Sequence, residues 1–294
     1  MVEGLDMFNY SPLRYPGGKS RISGFIAQLI KDNNIIGGNY VEPFAGGAGV
    51  ALYLLFNNIV KNIYINDKDI SIYAFWKSIL DDTDKFIRKI QETEISITEW
   101  EKQRKIQQNK VNESLFDLGF STFFLNRTNR SGIIMGGVIG GKNQSGKWKL
   151  DVRFNKEKLI NKILKIASYK EFITVKNKDV IDFLKEDVSV LDKNQTFIYL
   201  DPPYYNQGQK LYMNAFDNQQ HLNLYSEIKS LPYLWLVSYD DCDEIRKIYQ
   251  QQRNISYKLR YTACVKYLGE EAMFASDNLI VNTDINPLEY KKTA

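Results

Sequence analysis

The sequence predicts an α/β protein, an open sheet of alternating strands and helices with an insertion in its middle. Two observations carry the sheet. Short runs of β-forming residues, at 40–41, 62–66 and 196–200, each end at an acid, Glu42, Asp67 and Asp201. Between such runs lie stretches with helical apolar spacing, so buried-strand patterns alternate with a period near 3.6. A third observation predicts the insertion: this rhythm is lost between residues 80 and 170 and resumes at 172.

Taken in order, NYSPLRYPGGK (9–19) is a loop punctuated by Pro and Gly that ends at Lys19. Ile22, Phe25, Ile26, Leu29 and Ile30 follow at i, i+3, i+4, i+7 and i+8, the apolar stripe of an amphipathic helix. Residues 39–52 read as strand, glycine loop and helix. Gly46, Gly47 and Gly49 allow a tight turn, and the next helix offers free N–H groups. GGAG lacks the G-x-G-x-x-G spacing, so a nicotinamide dinucleotide is not indicated. Such a turn can be purely structural. Glu42 and Pro43 favour binding, because open α/β sheets take ligands at strand carboxyl ends. Asp67, 18 positions after Gly49, is suited to a ribose diol. Alternatively, Asp67 or Asp69 caps a helix that starts at Ile70.

Leu159, Ile160, Ile163, Leu164 and Ala167 mark a helix leading out of the insertion. FITVKN (172–177) is a strand with Asp179 after it. A helix runs from His221 to Leu231, and LWLVSY (234–239) is another strand. ISYKLRYTACVKY (255–267) and NLIVNT (278–283) are expected to close the sheet as a pair. GEEAMFASD (269–277), between them, receives no place.

Composition narrows the chemistry. At 294 residues and 44% hydrophobic content, the chain can bury one α/β core plus an insertion. No stretch approaches ~18 consecutive apolar residues, so no membrane span is expected. No basic region precedes an apolar run at the N-terminus, so no signal peptide is expected. Cys242, Cys264 and the single histidine, His221, suit neither a zinc site nor a disulfide framework; no metal is expected, and a reducing cytoplasm is. Any Ser-His-Asp or Cys-His mechanism would run through His221, which lacks a G-x-S-x-G-type context.

Net charge is +4, unevenly placed. Residues 142–170 hold nine Lys/Arg against Asp151 and Glu157. That footprint fits a polyanion, or a solvated lysine-rich helix. Within the insertion, Arg127, Arg130, Lys142, Lys147, Lys149 and Arg153 are interleaved with Phe123, Phe124 and Trp148. Asn126, Thr128, Asn129 and Ser131 add side chains able to bond bases or phosphates. The aromatics could equally form the insertion's own core. Its glycines, from Gly136 to Gly146, suggest a mobile hairpin or loop.

FIYLDPPYYN (197–206) carries the sharpest signal. A buried strand ends at Asp201, and Pro202 and Pro203 force an extended, stiff exit toward Tyr204 and Tyr205. A carboxylate, prolyl carbonyls and a ring at a sheet's carboxyl edge can hold an exocyclic amino group. An Asp-Pro turn that merely ends the strand is the plainer reading.

In this order LRYPGGK, VEPFAGGAG, IND, LNRTNRSG and YLDPPYY resemble the Dam-type (D12 class) DNA adenine-N6 methyltransferases, over about residues 10–285. The resemblance implies a Rossmann-like class I sheet that uses S-adenosylmethionine. It implies a catalytic domain of 1–79 and 171–294 and an inserted, mainly helical target-recognition domain, 80–170. It implies methyl transfer to N6 of a flipped-out adenine in duplex DNA, with Asp201, Pro202, Pro203 and Tyr204 as the catalytic element. Tyr15 and Lys19 would lie against the methionine end of the cofactor, Glu42, Phe44 and Gly46 along its loop, Asp67 at its ribose and Asp179 near its adenine, with Asp201 beside it. Phe216 and His221 match a family element that follows the catalytic one. Asn126, Arg127, Asn129, Arg130, Ser131, Lys142, Lys147, Lys149 and Arg153 would meet DNA. Tyr15 stands where the family often has Trp, and RTNRSG replaces a string like RHGYNG, so no target sequence is inherited. A DNA cytosine-N4 methyltransferase and a catalytically silent DNA-binding module are the alternatives. A cognate restriction endonuclease is an expected partner, and a monomer the expected state in solution.

Overall fold

The structure, a computed structural model, describes residues 10–14, 19–205, 216–261, 267–281 and 287–288. The chain divides into two compact units: Met1–Asn9, Lys19–Lys68 and Phe172–Ala294 form one, Tyr10–Gly18 and Asp69–Glu171 the other.

The first unit is built on a seven-stranded sheet. Its strands are β1 (Asn39–Glu42), β2 (Asn62–Asn66), β3 (Ile173–Lys176), β4 (Thr196–Leu200), β5 (Leu234–Asp240), β6 (Arg253–Tyr261) and β7 (Tyr267–Ala275). The order is β3-β2-β1-β4-β5-β7-β6, with β1 to β5 parallel and β7 antiparallel to both of its neighbours. The order reverses between β1 and β4, so Glu42 and Asp201 flank the crevice where such sheets bind ligands. This is the Rossmann-like sheet the sequence predicts. β4 is buried at every position, as a central parallel strand covered on both faces should be.

Alternation along the strands sorts the two faces. Val41, Ile198, Leu200, Trp235, Val237, Tyr239, Ala272 and Phe274 pack with α8 (Val180–Phe183) and the helices Asn218–Lys229 and Asp243–Ile248. The intervening residues Tyr40, Glu42, Phe197, Tyr199, Leu236 and Ser238 turn to the opposite face, where α1 (Ser23–Asp32) and α2 (Gly49–Phe56) lie against each other. Tyr40 stacks on Phe197 there, with ring centroids 6.4 Å apart.

The closing pair differs from expectation. The second closing strand is β7 and contains the unplaced GEEAMFA, while 278–281 is not a strand. The reason is local. Asn33, capping the end of α1, donates its amide to the Ile280 carbonyl at 2.9 Å and accepts from the Ile280 N–H at 2.9 Å. The backbone of the apolar run is thus held by a side chain rather than by a ladder.

The second unit is helical: α3 (Ile70–Asp81), α4 (Thr83–Glu92), α5 (Ile97–Gln108), α6 (Leu115–Thr128) and α7 (Lys156–Ala167). Phe75, Phe86, Phe116, Phe120, Phe123, Phe124 and Phe154 pack edge-on, stacked or tilted as its core. Phe123 and Phe124 therefore serve this core and offer no ring to a partner. Helix α3 and residues 10–18 fall in this unit rather than with 1–79, because α3 lies flush against α6 at Gly119. Among the described residues no helix is long and apolar enough to cross a membrane.

Candidate functional site

At the carboxyl edge of the first unit's sheet, one ammonium gathers the catalytic candidates. Lys19, in the single 3-10 turn before α1, is buried. Its Nζ lies 3.1 Å from Asp201 Oδ1, 3.0 Å from Glu271 Oε1 and 2.6 Å from the Tyr204 hydroxyl. The Tyr204 hydroxyl donates to Glu271 Oε1 at 2.6 Å. Ser238 of β5 donates to Asp201 Oδ1 at 2.9 Å, and Tyr199 of β4 pairs with Ser238 at 2.7 Å. Asp201 follows Tyr199 by two residues and so turns to the same face, which is why these groups converge. Pro202 is buried and Pro203 half-buried. The Tyr205 N–H donates to Asp240 Oδ1 at 2.8 Å, fixing the exit of the loop.

The electrostatics favour a cation. Two carboxylates, Asp201 and Glu271, share one buried ammonium, and the buried Glu42 stands on the next strand. Burial pushes the Asp201 carboxyl up, against the pull of Lys19 and with the push of Glu271. Yet 22% of its side chain stays accessible, so it can meet a ligand. Burial, with Asp201 adding repulsion, holds Glu42 well above the usual carboxylate range. Glu42 Oε2 accepts from the Ala51 N–H of α2 at 3.3 Å.

The β1–α2 turn passes through left-handed conformations at Gly46 (φ 44°) and Ala48 (φ 46°). Asp67 Oδ2 accepts from the Gly46 N–H at 2.9 Å, which brings the acid of β2 against the glycine turn. Asp69, not Asp67, caps α3, its carboxylate accepting from the Ser71 N–H. Phe44 is partly buried and meets Phe216 edge-on at 5.8 Å, and Phe216 lies 5.3 Å from His221. These residues fit S-adenosylmethionine. Acids stand at the ends of β1 and β2, and the surplus negative charge around Lys19 suits a sulfonium.

Lys19 and Asp179 also hold partners within the protein. Lys19 is engaged with Asp201, Tyr204 and Glu271. Asp179 caps α8 through the Ile181 N–H at 3.0 Å and pairs with Lys68 at 2.9 Å. Burial acts upward on Asp179, but the Lys68 hydrogen bond, the Ile181 N–H and the Lys68 charge together lower the carboxyl's pKa. Tyr15 lies outside the described residues. His221 is buried among Tyr205, Phe216 and Tyr239, its Nδ1 3.1 Å from the Tyr239 hydroxyl. Burial pushes it down to about 4, so it is neutral at physiological pH. Glu271 was not foreseen.

In the second unit the polar candidates separate into two groups. Asn126 and Asn129, expected at DNA, are buried and bonded inward. Asn126 holds both backbone groups of Arg14 at 2.7 Å and the Gly132 carbonyl at 2.9 Å. Asn129 accepts from the Trp100 indole at 2.6 Å and donates to the Ile133 and Ile134 carbonyls. Their amides shape the 129–134 loop and are not free for a base edge. Arg127 donates to the Arg153 carbonyl at 2.7 Å. Lys142 pairs with Glu101 at the surface, and Lys149 bonds the Gln144 carbonyl. Lys147 lies over the Trp148 ring. Arg130, Ser131 and Arg153 line one concavity.

The model of the D12 class N6 adenine-specific DNA methyltransferases matches residues 15–263. Type II methyltransferase M.MjaIII of Methanocaldococcus jannaschii is 24% identical over 65% of this chain and 68% of its own. Type II methyltransferase M.CviBI of Paramecium bursaria Chlorella virus NC1A is 24% identical over 76% and 80%. The structure of M. capricolum TrmK in complex with S-adenosyl-homocysteine aligns over 86% of this chain and 69% of that chain, at 7% identity and a TM-score of 0.37.

Proposed function

The chain belongs to the D12 class N6 adenine-specific DNA methyltransferase family, and from that premise we propose that its Asp201–Tyr204 edge holds the adenine amino group during methyl transfer. The enzyme methylates adenine in DNA with S-adenosylmethionine as donor. The observation that carries the site assignment is Asp201: a partly accessible carboxylate at the sheet's switch point, fixed by Lys19 and Ser238.

S-adenosylmethionine supplies an electrophilic methyl on a sulfonium. Adenine N6 is a poor nucleophile, because its lone pair is delocalised into the ring. Asp201 and the Pro202 carbonyl each accept a hydrogen bond from N6, drawing that lone pair out of conjugation. As the N–C bond would form and the sulfonium's S–CH3 bond break, its electron pair passing to sulfur and leaving a neutral thioether, positive charge would grow on N6, and Asp201 would stabilise it from a position already organised. Asp201 then takes the proton that N6 sheds, a task its raised pKa suits. Lys19 and Glu271 keep the Tyr204 ring and the Asp201 carboxylate in register. Positioning of this kind is worth up to about 7–11 kcal/mol in favourable cases. Glu42, Phe44, Gly46 and Asp67 hold the cofactor, with Asp179 near its adenine. The target base leaves the duplex at a cost of a few kcal/mol, and Tyr204, buried in this structure, has to be uncovered before it can stack on the base, a contact worth ~1–3 kcal/mol.

The second unit is the target-recognition domain in this reading, with Arg127, Arg130, Ser131, Lys142, Lys147, Lys149 and Arg153 facing DNA. Type II relatives suggest a restriction endonuclease partner that shares the site. We assign the chain a monomeric state and a cytoplasmic place, where its DNA lies. Labelled methyl transfer to plasmid DNA followed by nucleoside analysis tests the assignment. N6-methyladenine is expected from the wild type, and none from Asp201→Ala, which still binds DNA. Substantial turnover by Asp201→Ala would sink the role of that residue. N4-methylcytosine would support the cytosine alternative, and tight DNA binding without transfer a silent module.

A further inference from the structure

We propose that Arg14, Arg130 and Arg153 form an anion pocket in the second unit that grips a DNA backbone phosphate, with Trp148 packed against the adjoining nucleotide. The inference deepens the proposed DNA-binding role of this unit and rests on it. It adds Arg14 and Trp148, and it changes the task from reading bases to positioning the backbone.

The pocket is a concavity of about 320 Å³ lined by Arg14, Arg130, Ser131, Ile139, Trp148, Val152 and Arg153. Among the described residues no carboxylate pairs with Arg14, Arg127, Arg130 or Arg153, although lysines elsewhere in the unit have acidic partners. Guanidinium groups gathered without counter-charge repel one another, and the cost is recovered when an anion enters. Beside the pocket, Arg127 is pushed down to about 10, by burial first and then by Arg14 and Arg153. Arg14 is lowered as well, by burial and by Arg153.

The pocket is also built in advance. Both backbone groups of Arg14 are clamped by Asn126, and its guanidinium donates to the Asn129 carbonyl at 3.1 Å. Gly132 lets the loop close on it: at φ 76°, a Cβ would stand 2.2 Å from the Arg14 carbonyl oxygen. Ser131 holds a left-handed φ of 55°, a strain that non-glycine residues keep when their surroundings enforce it. Trp148 is 61% exposed, whereas Trp76, Trp100 and Trp235 are buried. A wet indole beside three arginines suits a nucleotide, with its phosphate on the guanidiniums and its base or sugar against the ring. A neutral base edge would leave the clustered charge uncompensated, so the phosphate is the better occupant.

The test is the salt dependence of binding by the full chain to two duplexes, one carrying the methylated site and one lacking it. Each contacted phosphate adds about 0.9 to the slope of log K against log salt. Arg130→Ala and Arg153→Ala, at exposed side chains, are each expected to lower that slope by about one and to weaken both duplexes equally. Lys193→Ala, on the other unit's surface, serves as the control. An unchanged slope in both arginine variants overturns the proposal, and so does weakening confined to the site-bearing duplex, which would indicate base reading. A second measurement needs no arginine variant. Acrylamide quenching of tryptophan emission reports chiefly on Trp148, and either duplex should shield it; undiminished quenching at saturating DNA counts against the pocket. Failure of the wild type to methylate adenine would strike the underlying functional reading instead, and is scored separately.

Discussion

Asp201 stands under three opposing influences. Burial raises its pKa, the Lys19 ammonium at 3.1 Å lowers it, and Glu271 raises it again. The groups around it come from every neighbouring element: Lys19 before α1, Glu42 on β1, Tyr199 on β4, Ser238 on β5 and Glu271 on β7. Holding N6 and stabilising its charge both require the ionised form. The rate should therefore fall as pH drops through a folded pKa that lies above the usual aspartate range. Glu271→Gln removes a like charge, so this acid limb should move to lower pH. Lys19→Met removes the counter-charge, so it should move to higher pH. Single-turnover methyl transfer against pH measures both, and displacement in the same direction would contradict the arrangement. His221 adds no limb near neutrality, since burial holds it at about 4. The sequence revealed Asp201, Glu42 and Asp67 because each is an acid where an apolar run stops. It hid Glu271, because an acid turned inward within a strand breaks the only pattern that marks the strand.

At the scale of elements, α3 and α6 illustrate how the second unit closes. A Cβ at Gly119 would stand 2.4 Å from the Ala74 carbonyl oxygen, so the helices meet there without room for a side chain. Gly119→Val should separate them and destabilise the protein by about 1–3 kcal/mol, the usual penalty of overpacking. Chemical denaturation would register it as a lower midpoint, and an unchanged midpoint would show that the contact is not tight. Element positions were legible wherever burial and period agreed. β4 occupies 196–200 as expected, and α1 follows its five-residue apolar stripe. They were illegible where a side chain replaced the ladder, as Asn33 does for Ile280. Phe123 and Phe124 beside basic residues allowed both a base-stacking and a core reading, and only the packing of α6 decides for the core. Asn126 and Asn129 failed for a related reason, since composition cannot tell an amide that meets a ligand from one that holds a loop.

Across the whole molecule, charge and chemistry are divided between the two units. The edge around Lys19 in the first carries surplus negative charge, whereas the 14–153 pocket of the second carries unpaired positive charge. A cationic cofactor and a polyanionic substrate should therefore protect different parts of the chain. In hydrogen exchange, S-adenosylmethionine is expected to slow amides at 44–51 and around Asp67, where the Gly46 N–H already meets the Asp67 carboxylate. DNA is expected to slow amides at 129–153. A ligand at a hundred times its Kd stabilises whatever binds it by about 2.7 kcal/mol, enough to slow exchange through global or local opening roughly a hundredfold. Asp67→Ala should abolish protection by the cofactor and leave protection by DNA intact. If the cofactor alone protected 129–153 as strongly as 44–51, the division of labour between the units would be wrong, because a small cation has no counter-charge to meet among the pocket's three arginines.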